Sequence, residues 1–304
     1  MGTEQVLAGR YRLAERIGSG GMSEVYAADH LLTGRPVAVK LIRAEILDRI
    51  PGAEARVLAE AEACGSLDHP NVVQILDGGF TEVGDLFLVF ERLYGQSLER
   101  ALRKSRVTPR SLVRIAVRVL DALGAVHGRE WVHRDVKPGN VFLARDALGS
   151  TIVKLIDFGI AAPLEASAVL EGPILGTRDY MSPEQTEGHR LDGRSDLWSV
   201  GALLFRGLTG SVPFVGDARE AVFVKGRPPP SPYGIRPDLP LDLCGVVRRF
   251  LQPDPRLRWS RAEDAISALA AVDEGALAGL PPPQFAFGGA PPAANEPRSR
   301  PFTV

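Results

Sequence analysis

Apolar and polar residues alternate in short runs along the first third of the chain, and turn residues separate the runs. A period of two residues predicts β-strands. Between the third and fourth runs, residues 53–67 are rich in Ala, Glu, Arg and Leu, which favours a helix. The first third therefore predicts an antiparallel sheet with one main helix. The predicted strands are residues 11–17, 25–29, 37–42, 72–76 and 86–90.

The pattern changes to longer helical stretches after residue 94. The predicted helices are residues 109–127, 195–208 and 241–250, with Gly and Pro between them. From residue 276 onward Ala, Gly and Pro dominate, and too few apolar positions remain to form a core. We expect a β-rich lobe at 1–93 with its core at 11–93, a helix-rich lobe at 94–275, and a disordered tail or linker at 276–304.

The amino-acid composition indicates the class of protein, its partners and its compartment. Hydrophobic residues make up 45% of the 304 residues and charged residues 24%, as in soluble globular chains. The 36 Lys and Arg residues nearly balance the 37 Asp and Glu residues, which argues against a nucleic-acid partner. No run approaches the ~18 apolar residues of a membrane-spanning helix. Cys64 and Cys244 belong to no CxxC or Cys/His cluster, which argues against structural zinc and favours a reducing, cytoplasmic compartment.

A glycine-rich segment lies between the first two predicted strands. Glycines let the backbone of a hairpin approach a phosphate chain and offer it N–H groups. A glycine-rich hairpin turn without a ligand is the alternative interpretation. The segment consists of Gly18, Ser19, Gly20, Gly21, Met22, Ser23, Glu24 and Val25.

Lys40 stands at the end of the apolar strand predicted from residue 37. A lysine on such a strand needs a partner, and Glu60 in the following helix can supply a carboxylate. Glu62 lies roughly 200° around the helix from Glu60, so only one of the two can face the lysine. The alternative is a pair of solvated glutamates on a surface helix.

Two polar motifs follow apolar segments in the second lobe: HRDVKPGN at residues 133–140 and DFG at residues 157–159. Asp135 can accept the proton of a substrate hydroxyl, and Lys137 can neutralise a transferring phosphoryl group. Asn140 and Asp157 can together hold Mg²⁺. Residues of these types predict phosphoryl transfer.

In this order the motifs resemble those of the eukaryotic-type (Hanks-type) protein kinases, and most of all the bacterial Ser/Thr protein kinases. The resemblance covers residues 11–271 and rests on no single motif. It implies an α+β, two-lobed protein kinase fold, with a small antiparallel β-sheet lobe carrying one main helix and a larger helical lobe. It also implies an ATP-dependent phosphotransferase that uses Mg²⁺ or Mn²⁺.

The resemblance assigns the binding of ATP mostly to the first lobe. The glycine-rich segment would cover the phosphates, and Lys40 paired with Glu60 would anchor them. The adenine would pack between apolar side chains, and the backbone after the last strand would bind its edge, with an aromatic gatekeeper before it. The residues in these roles are Ile17, Val25, Ala38 and Phe142 for packing, Phe90 as gatekeeper, and Glu91 and Leu93 for the backbone contacts.

The same resemblance makes Asp135 the catalytic base, Lys137 a phosphate contact, and Asn140 and Asp157 the metal ligands. Lys137 and Thr177 match the Ser/Thr class, in which this threonine bridges the base and the lysine. The expected substrates are therefore proteins with Ser or Thr acceptors.

Two elements further along the chain agree with the resemblance: Ser182-Pro183-Glu184 and the DLWSVG stretch at residues 196–201. Arg258 matches the arginine that pairs with this glutamate in the family. The sequence therefore predicts a buried ion pair between Glu184 and Arg258, and losing one partner would strand a charge at a cost of roughly 3–5 kcal/mol.

The stretch at residues 160–176 offers only Ser167 for phosphorylation. Arg134 precedes the base, and in the family such an arginine commonly pairs with a phosphate in this loop. Two hypotheses follow. Either the chain phosphorylates itself on Ser167 or Thr177, which a dimer would allow, or apolar packing holds the loop without phosphate.

Three functions are compatible with the motifs. The first is a protein Ser/Thr kinase, which the full residue set favours. The second is a nucleotide-binding pseudokinase scaffold with weak or no catalysis, which usually lacks one of these groups. The third is a small-molecule kinase, which normally lacks the Ser-Pro-Glu element and the Asp-x-Trp helix.

Overall fold

The computed structural model describes residues 5–20, 23–49, 53–65, 67–157, 162–163, 178–214 and 229–283. They form two compact units. The first contains residues 5–96 and 143–154, and the second contains residues 97–142 and 155–283. The division thus follows residue 96, whereas the sequence placed it after residue 93, and the hairpin at 143–154 groups with the first unit.

The first unit contains an antiparallel sheet of six strands in the order β1-β2-β3-β4-β6-β5. Two helices, α1 and α2, separate β4 from β5 along the chain. The bounds are β1 Val6–Leu7, β2 Tyr11–Ser19, β3 Glu24–His30, β4 Pro36–Ile42, α1 Ala44–Arg49, α2 Ala53–Gly65, β5 Ile75–Phe80 and β6 Leu86–Glu91.

The strand predicted at 72–76 is misplaced, because β5 begins at Ile75. Val72 and Val73 are buried but precede the strand, and Val72 forms only an isolated β-bridge. Gly78 and Gly79 disfavour a strand by propensity. Gly78 nevertheless lies in β5, where a Cβ atom would come within 3.0 Å of the Leu88 side chain.

A buried hydrophobic cluster of the first unit lies on one face of the sheet. Val37, Val39 and Leu41 alternate along β4 and join a buried cluster with Tyr11 and Phe87. Since successive side chains of a strand point to opposite faces, the residues between them occupy the other face. Ala38 and Lys40 therefore lie on the face of β4 opposite to Val37, Val39 and Leu41.

A short sheet contains β7 Gly95–Ser97, β9 Val141–Arg145 and β10 Thr151–Leu155, in the order β10-β9-β7. Side chains fasten the hairpin at 143–154 to the rest of the first unit. Asn71 donates to the Val153 carbonyl at 2.7 Å, and Lys154 Nζ lies 2.6 Å from a Glu91 carboxylate oxygen. Glycine is required at position 95, because a Cβ atom there would lie 2.0 Å from the Leu143 carbonyl oxygen.

The second unit is mainly helical. A two-residue strand, β8 Trp131–Val132, pairs antiparallel with β11 Ala162–Pro163. Thr108 caps the first long helix and Pro109 opens it, and its observed bounds equal the predicted 109–127. The helices are α3 Leu98–Arg103, α4 Pro109–His127, α5 Pro183–Thr186, α6 Gly193–Thr209, α7 Leu241–Phe250, α8 Ala262–Ala270 and α9 Glu274–Leu277.

Helix α6 lies at the centre of the second unit and packs against α4 and α7. Its apolar residues Leu197, Val200 and Leu204 are fully buried. A Cβ atom at Gly201 would lie 2.4 Å from the Phe250 Cβ, so only glycine lets α7 approach this closely. Helix α6 also contacts β8, the strand that precedes the polar motif at 133–140.

The ion pair predicted between Glu184 and Arg258 is confirmed. The two guanidinium nitrogens lie 2.6 and 2.8 Å from the two carboxylate oxygens, and the Arg258 side chain is fully buried. Ser195 also donates to Glu184, at 2.6 Å. Burial alone would raise the pKa of Glu184, but the hydrogen bonds and charge of Arg258 hold this pKa below its usual value. The pair fixes the position of α5.

Buried polar groups also connect α6 to the segment after α4. Asp196 is fully buried, and its carboxylate accepts the backbone N–H groups of His133 and Arg134, both at 2.8 Å. His127 Nε2 lies 2.8 Å from the same carboxylate. His133 is also fully buried, and burial lowers the pKa of its imidazole below 6.5. His133 is therefore neutral in the folded protein near pH 7.

Residues 276–283, which the sequence assigned to a tail, lie against the second unit. Leu277 is buried in α9, and Asp273 caps this helix. Arg236 donates to the Pro281 carbonyl at 3.2 Å, and Ser105 donates to the Pro283 carbonyl at 3.4 Å. Among the helices of the described segments, none has the length and apolarity needed to cross a membrane.

We expect Arg258→Met to reduce the free energy of unfolding by about 3–5 kcal/mol, because it leaves the Glu184 carboxylate buried without its cation. Chemical denaturation of the purified protein measures this change. The matched control is Arg256→Met, since Arg256 forms a pair with Asp254 while its side chain is 82% exposed. The control should stay close to wild type, and equal losses in both variants would contradict the assignment.

We also expect His133 to make the protein less stable as the pH falls below about 6.5. The unfolded chain binds a proton on this imidazole and the folded protein does not, so the stability is complete above that pH and is lost below it. One proton corresponds to a slope of at most about 1.4 kcal/mol per pH unit. His133→Asn should flatten the slope between pH 7 and pH 5, whereas His189→Asn, at an exposed histidine, should not.

Candidate active site

The loop between β8 and β9 carries the polar motif at 133–140. It closes in a 3₁₀ turn, Pro138–Asn140, whose proline has the fixed φ that suits the first position of such a turn. Pro138 and Asn140 are buried, and α3 packs against this turn. The loop is therefore held at both ends, by α3 at the turn and by Asp196 at its start.

Two side chains hold one oxygen of the Asp135 carboxylate. Lys137 Nζ lies 2.7 Å from Oδ2, and Asn140 Nδ2 donates to the same oxygen at 2.9 Å and to the Asp135 carbonyl at 2.9 Å. The other oxygen, Oδ1, is buried and has no hydrogen-bond partner within the described ranges. The contacts at Oδ2 thus orient the carboxylate, and Oδ1 can accept a hydrogen bond from an additional donor.

Asn140 connects this loop to the segment that carries Asp157. Its carbonyl accepts the N–H of Ile156 at 2.9 Å. Asp157 follows directly, with φ at 48°, in the left-handed region that non-glycine residues seldom adopt. Since the Asn140 amide nitrogen donates to Asp135, the amide oxygen is the atom left for a cation. An amide oxygen and an exposed carboxylate are ligands that suit Mg²⁺.

In the first unit, strand register brings several predicted ATP contacts to one face. Lys40 is directly opposite Val25 on β3 and Leu88 on β6, and Ala38 is opposite Phe90. Directly opposite side chains of antiparallel strands share a face. Val25, Ala38, Lys40 and Phe90 therefore share the face turned away from the core cluster.

The glycine-rich hairpin joins β2 to β3. Gly18 pairs with Val25, and the Gly20 N–H donates to the Ser23 carbonyl at 2.8 Å. Glu24 fastens the hairpin, since Arg16 donates to it at 2.6 Å and Arg43 approaches at 3.4 Å. The hydrogen bond from Arg16 lowers the pKa of Glu24. Ser19 pairs with Glu24, and Ile17 lies next to an irregularity of the β2–β3 register.

Glu91 ends β6, and its backbone N–H donates to the Gln74 carbonyl at 3.0 Å. Leu93 follows as a buried residue, and Phe142 is a buried residue of β9 in the second unit. Glu60 belongs to α2, but its side chain lies outside the described residues. The other residues of the predicted site and its motifs that lie outside the described ranges are Gly21, Met22, Phe158, Gly159, Ser167 and Thr177.

Several side chains that hold the loop at residues 133–140 in place could not be recognised from the sequence. In the sequence Asp196 stands out only as part of the DLWSVG stretch, and nothing in the sequence indicates a role for His127. Gln185 was not singled out, although it donates to the Arg134 carbonyl at 2.8 Å. The only local signal for Gln185 was the Ser-x-x-Gln spacing of a capping box, which predicts a helix start and no distant partner.

Comparisons with known proteins agree with this arrangement. The protein kinase domain family matches residues 11–268. A probable serine/threonine-protein kinase of Streptomyces coelicolor is 37% identical over 267 residues, which are 85% of this chain and 39% of that protein. The serine/threonine-protein kinase PknJ of Mycobacterium tuberculosis is 38% identical over 91% of this chain and 48% of its own length.

The serine/threonine-protein kinase PknB of Mycolicibacterium smegmatis is 37% identical over 90% of this chain and 45% of its own length. The chain thus spans less than half the length of these three relatives. Among solved structures, the PknI kinase domain of Mycobacterium tuberculosis matches with a TM-score of 0.70 and 25% identity, over 89% of this chain and 98% of that one. The two-lobed kinase fold expected from the sequence is confirmed. The chain belongs to the protein kinase domain family.

Proposed function

We propose that this chain is a protein serine/threonine kinase, which transfers the γ-phosphoryl group of ATP to Ser or Thr hydroxyls of proteins. The observation that carries the proposal is the asymmetry of the Asp135 carboxylate. Lys137 and Asn140 hold Oδ2, whereas Oδ1 has no partner among the described residues. A carboxylate held in this way is suited to accept the proton of an attacking hydroxyl. The relatives named as serine/threonine-protein kinases support the acceptor class.

In the proposed reaction the substrate oxygen forms a bond to the γ-phosphorus while the bond from that phosphorus to the β-γ bridging oxygen breaks. The hydroxyl proton goes to Asp135 Oδ1, and ADP leaves with the bridging oxygen. Lys137 Nζ, already 2.7 Å from Asp135, supplies positive charge beside the transferring group. Thr177 is assigned the role of bridging the base and this lysine.

Asn140 and Asp157 would hold Mg²⁺ or Mn²⁺, which neutralises charge on the phosphates of ATP when bound. Lys40, paired with Glu60, is proposed to bind the phosphate oxygens. Phe90 is proposed as the gatekeeper, with the backbone of Glu91 and Leu93 binding the adenine edge. The further residues proposed to contact ATP are Ile17, Gly18, Ser19, Gly20, Gly21, Met22, Ser23, Val25, Ala38 and Phe142.

Protein substrates include this chain itself in our proposal, on Ser167 or Thr177, with a dimer as the arrangement for the reaction. Arg134 is the cation expected to bind such a phosphate. A cytoplasmic location is part of the same proposal and rests on the cysteine pattern.

We expect Lys40→Met and Asp135→Asn each to abolish labelling of the protein by radioactive ATP with Mg²⁺, because one removes a phosphate contact and the other the base. Asp264→Asn, at an exposed carboxylate of α8, is the matched control and should label as wild type does. Labelling that persists in Asp135→Asn would refute the role of this residue. ATP binding without any transfer in wild type would favour the pseudokinase scaffold.

We expect wild-type protein to carry phosphate on Ser167 or Thr177 when it is purified, and Asp135→Asn protein made in the same way to carry none. Intact-mass spectrometry followed by site mapping measures both. Identical, phosphate-free spectra would refute autophosphorylation and favour a loop held by apolar packing.

A further inference from the structure

We propose that Gln185 is a positioning residue, which holds the peptide bond before Asp135 in the orientation that the catalytic base needs. The inference rests on the proposed role of Asp135 as a base. Gln185 belongs to α5, and its side-chain nitrogen donates to the carbonyl oxygen of Arg134 at 2.8 Å. That carbonyl belongs to the peptide group whose N–H is the N–H of Asp135.

The backbone at this point is strained and needs external support. Arg134 has φ at 67°, a left-handed conformation that costs a residue with a long side chain about 1–3 kcal/mol. Such a conformation persists only where its surroundings impose it. Asp196 holds the N–H of Arg134 at 2.8 Å, and Gln185 holds its carbonyl. The strained residue is thus fixed on both sides by side chains from different elements.

The peptide group between Arg134 and Asp135 is held by both of its polar atoms. Gln185 donates to the oxygen of this peptide group, and the N–H of the same group, which belongs to Asp135, donates to His133 Nδ1 at 3.3 Å. Two contacts at opposite ends of a planar group fix the rotation of that plane. The direction in which the Asp135 side chain leaves the backbone follows from this plane. Gln185 therefore influences where the carboxylate points without contacting it.

The orientation of the Gln185 amide is determined by its other partner. Its oxygen accepts the N–H of Ser182 at 3.0 Å and lies 3.2 Å from the Ser182 hydroxyl. An N–H group requires an acceptor, so the amide oxygen must face Ser182 and the nitrogen must face Arg134. One side chain consequently closes the capping box of α5 and reaches the catalytic loop.

Helix α5 provides a rigid base for this contact, although it contains only four residues. Glu184, the neighbour of Gln185, is locked by the buried pair with Arg258. Ser182 is fully buried at the start of the helix. A short helix with these two anchors can hold a glutamine side chain in one place, and the chain of contacts runs from Arg258 to the peptide group of Asp135.

The alternative is that Gln185 serves only as the capping residue of α5. Gln185→Glu separates the two roles. A glutamate oxygen can still accept the Ser182 N–H, so the capping box survives. The nitrogen that donated to Arg134 is replaced by a second oxygen, which at neutral pH is a charged acceptor facing a carbonyl.

We expect Gln185→Glu to lower kcat at pH 8 at least about tenfold, while KM for ATP and for dephosphorylated casein as the acceptor stays within about twofold. Protonation gives the glutamate an O–H that can donate to the Arg134 carbonyl. The ratio of variant to wild-type kcat should therefore rise as the pH is lowered from 8, because the protonated fraction of the glutamate grows.

Two further variants complete the kinetic experiment. Gln185→Met removes the side-chain hydrogen bonds to Ser182 and to Arg134 and cannot regain a donor, so its kcat should fall with no change of the ratio between pH 8 and pH 6. Gln5→Glu makes the same chemical change at an exposed glutamine of the first unit and should match wild type. A Gln185→Glu kcat within twofold of wild type, or a ratio that falls toward pH 6, would overturn the proposal.

Hydrogen exchange tests the same contact without catalysis. In Gln185→Glu, backbone amides of residues 133–137 should exchange faster than in wild type, while residues 182–187 should stay protected because the cap is kept. Faster exchange confined to 182–187 would show a capping role only and overturn the inference. If wild type transfers no phosphate, the proposed function fails by itself, and the exchange result still decides whether Gln185 holds the loop.

Discussion

A buried carboxylate on the central helix organises the loop at residues 133–140. Asp196 is fully buried, and its two oxygens accept the N–H groups of His133 and Arg134, while His127 lies beside it. Burial would raise the pKa of Asp196, but these contacts, the hydrogen bond from His127 first among them, keep it below its usual value. An isolated buried carboxylate costs several kcal/mol, so the charge is tolerable only while the loop supplies donors. The strained backbone at Arg134 is in turn supported by Asp196, which accepts its N–H, and by Gln185, which donates to its carbonyl. The buried charge and the strained backbone therefore support each other.

The same helix start anchors a second buried charge. Ser195, next to Asp196, donates to Glu184, whose carboxylate Arg258 binds through both of its oxygens. Two adjacent residues of α6 therefore fix two different segments, the catalytic loop and α5. Gln185 then joins these two segments directly. The resulting ring of contacts passes through α6, α5 and the loop, so displacing α5 disturbs the Asp135 peptide group as well.

Sequence reasoning located the elements more reliably than the contacts between them. The bounds of α4 were predictable because Thr108 and Pro109 mark its start and the apolar period continues to His127. The Glu184–Arg258 pair was predictable through the family resemblance, since both residues stand in recognisable motifs. Strand β5 was misplaced because Val72 and Val73 are buried before the strand begins. His127 and Gln185 were missed because each acts on a partner that only tertiary folding brings near, at sequence separations of 69 and 51 residues.

The two oxygens of the Asp135 carboxylate differ in hydrogen bonding, and this difference does not favour stability. A design for stability alone would satisfy both oxygens, because a buried acceptor without a donor costs about 1–3 kcal/mol. Here Lys137 and Asn140 saturate Oδ2, and no described group reaches Oδ1. The second unit therefore carries two local costs, the left-handed Arg134 and the unsatisfied oxygen, within two adjacent residues. Proteins retain such costs mainly where function requires them, and the surrounding ion pairs and buried helix supply the stability that makes them tolerable. The two costs lie side by side at Arg134 and Asp135, which supports the proposal that Asp135 is the base.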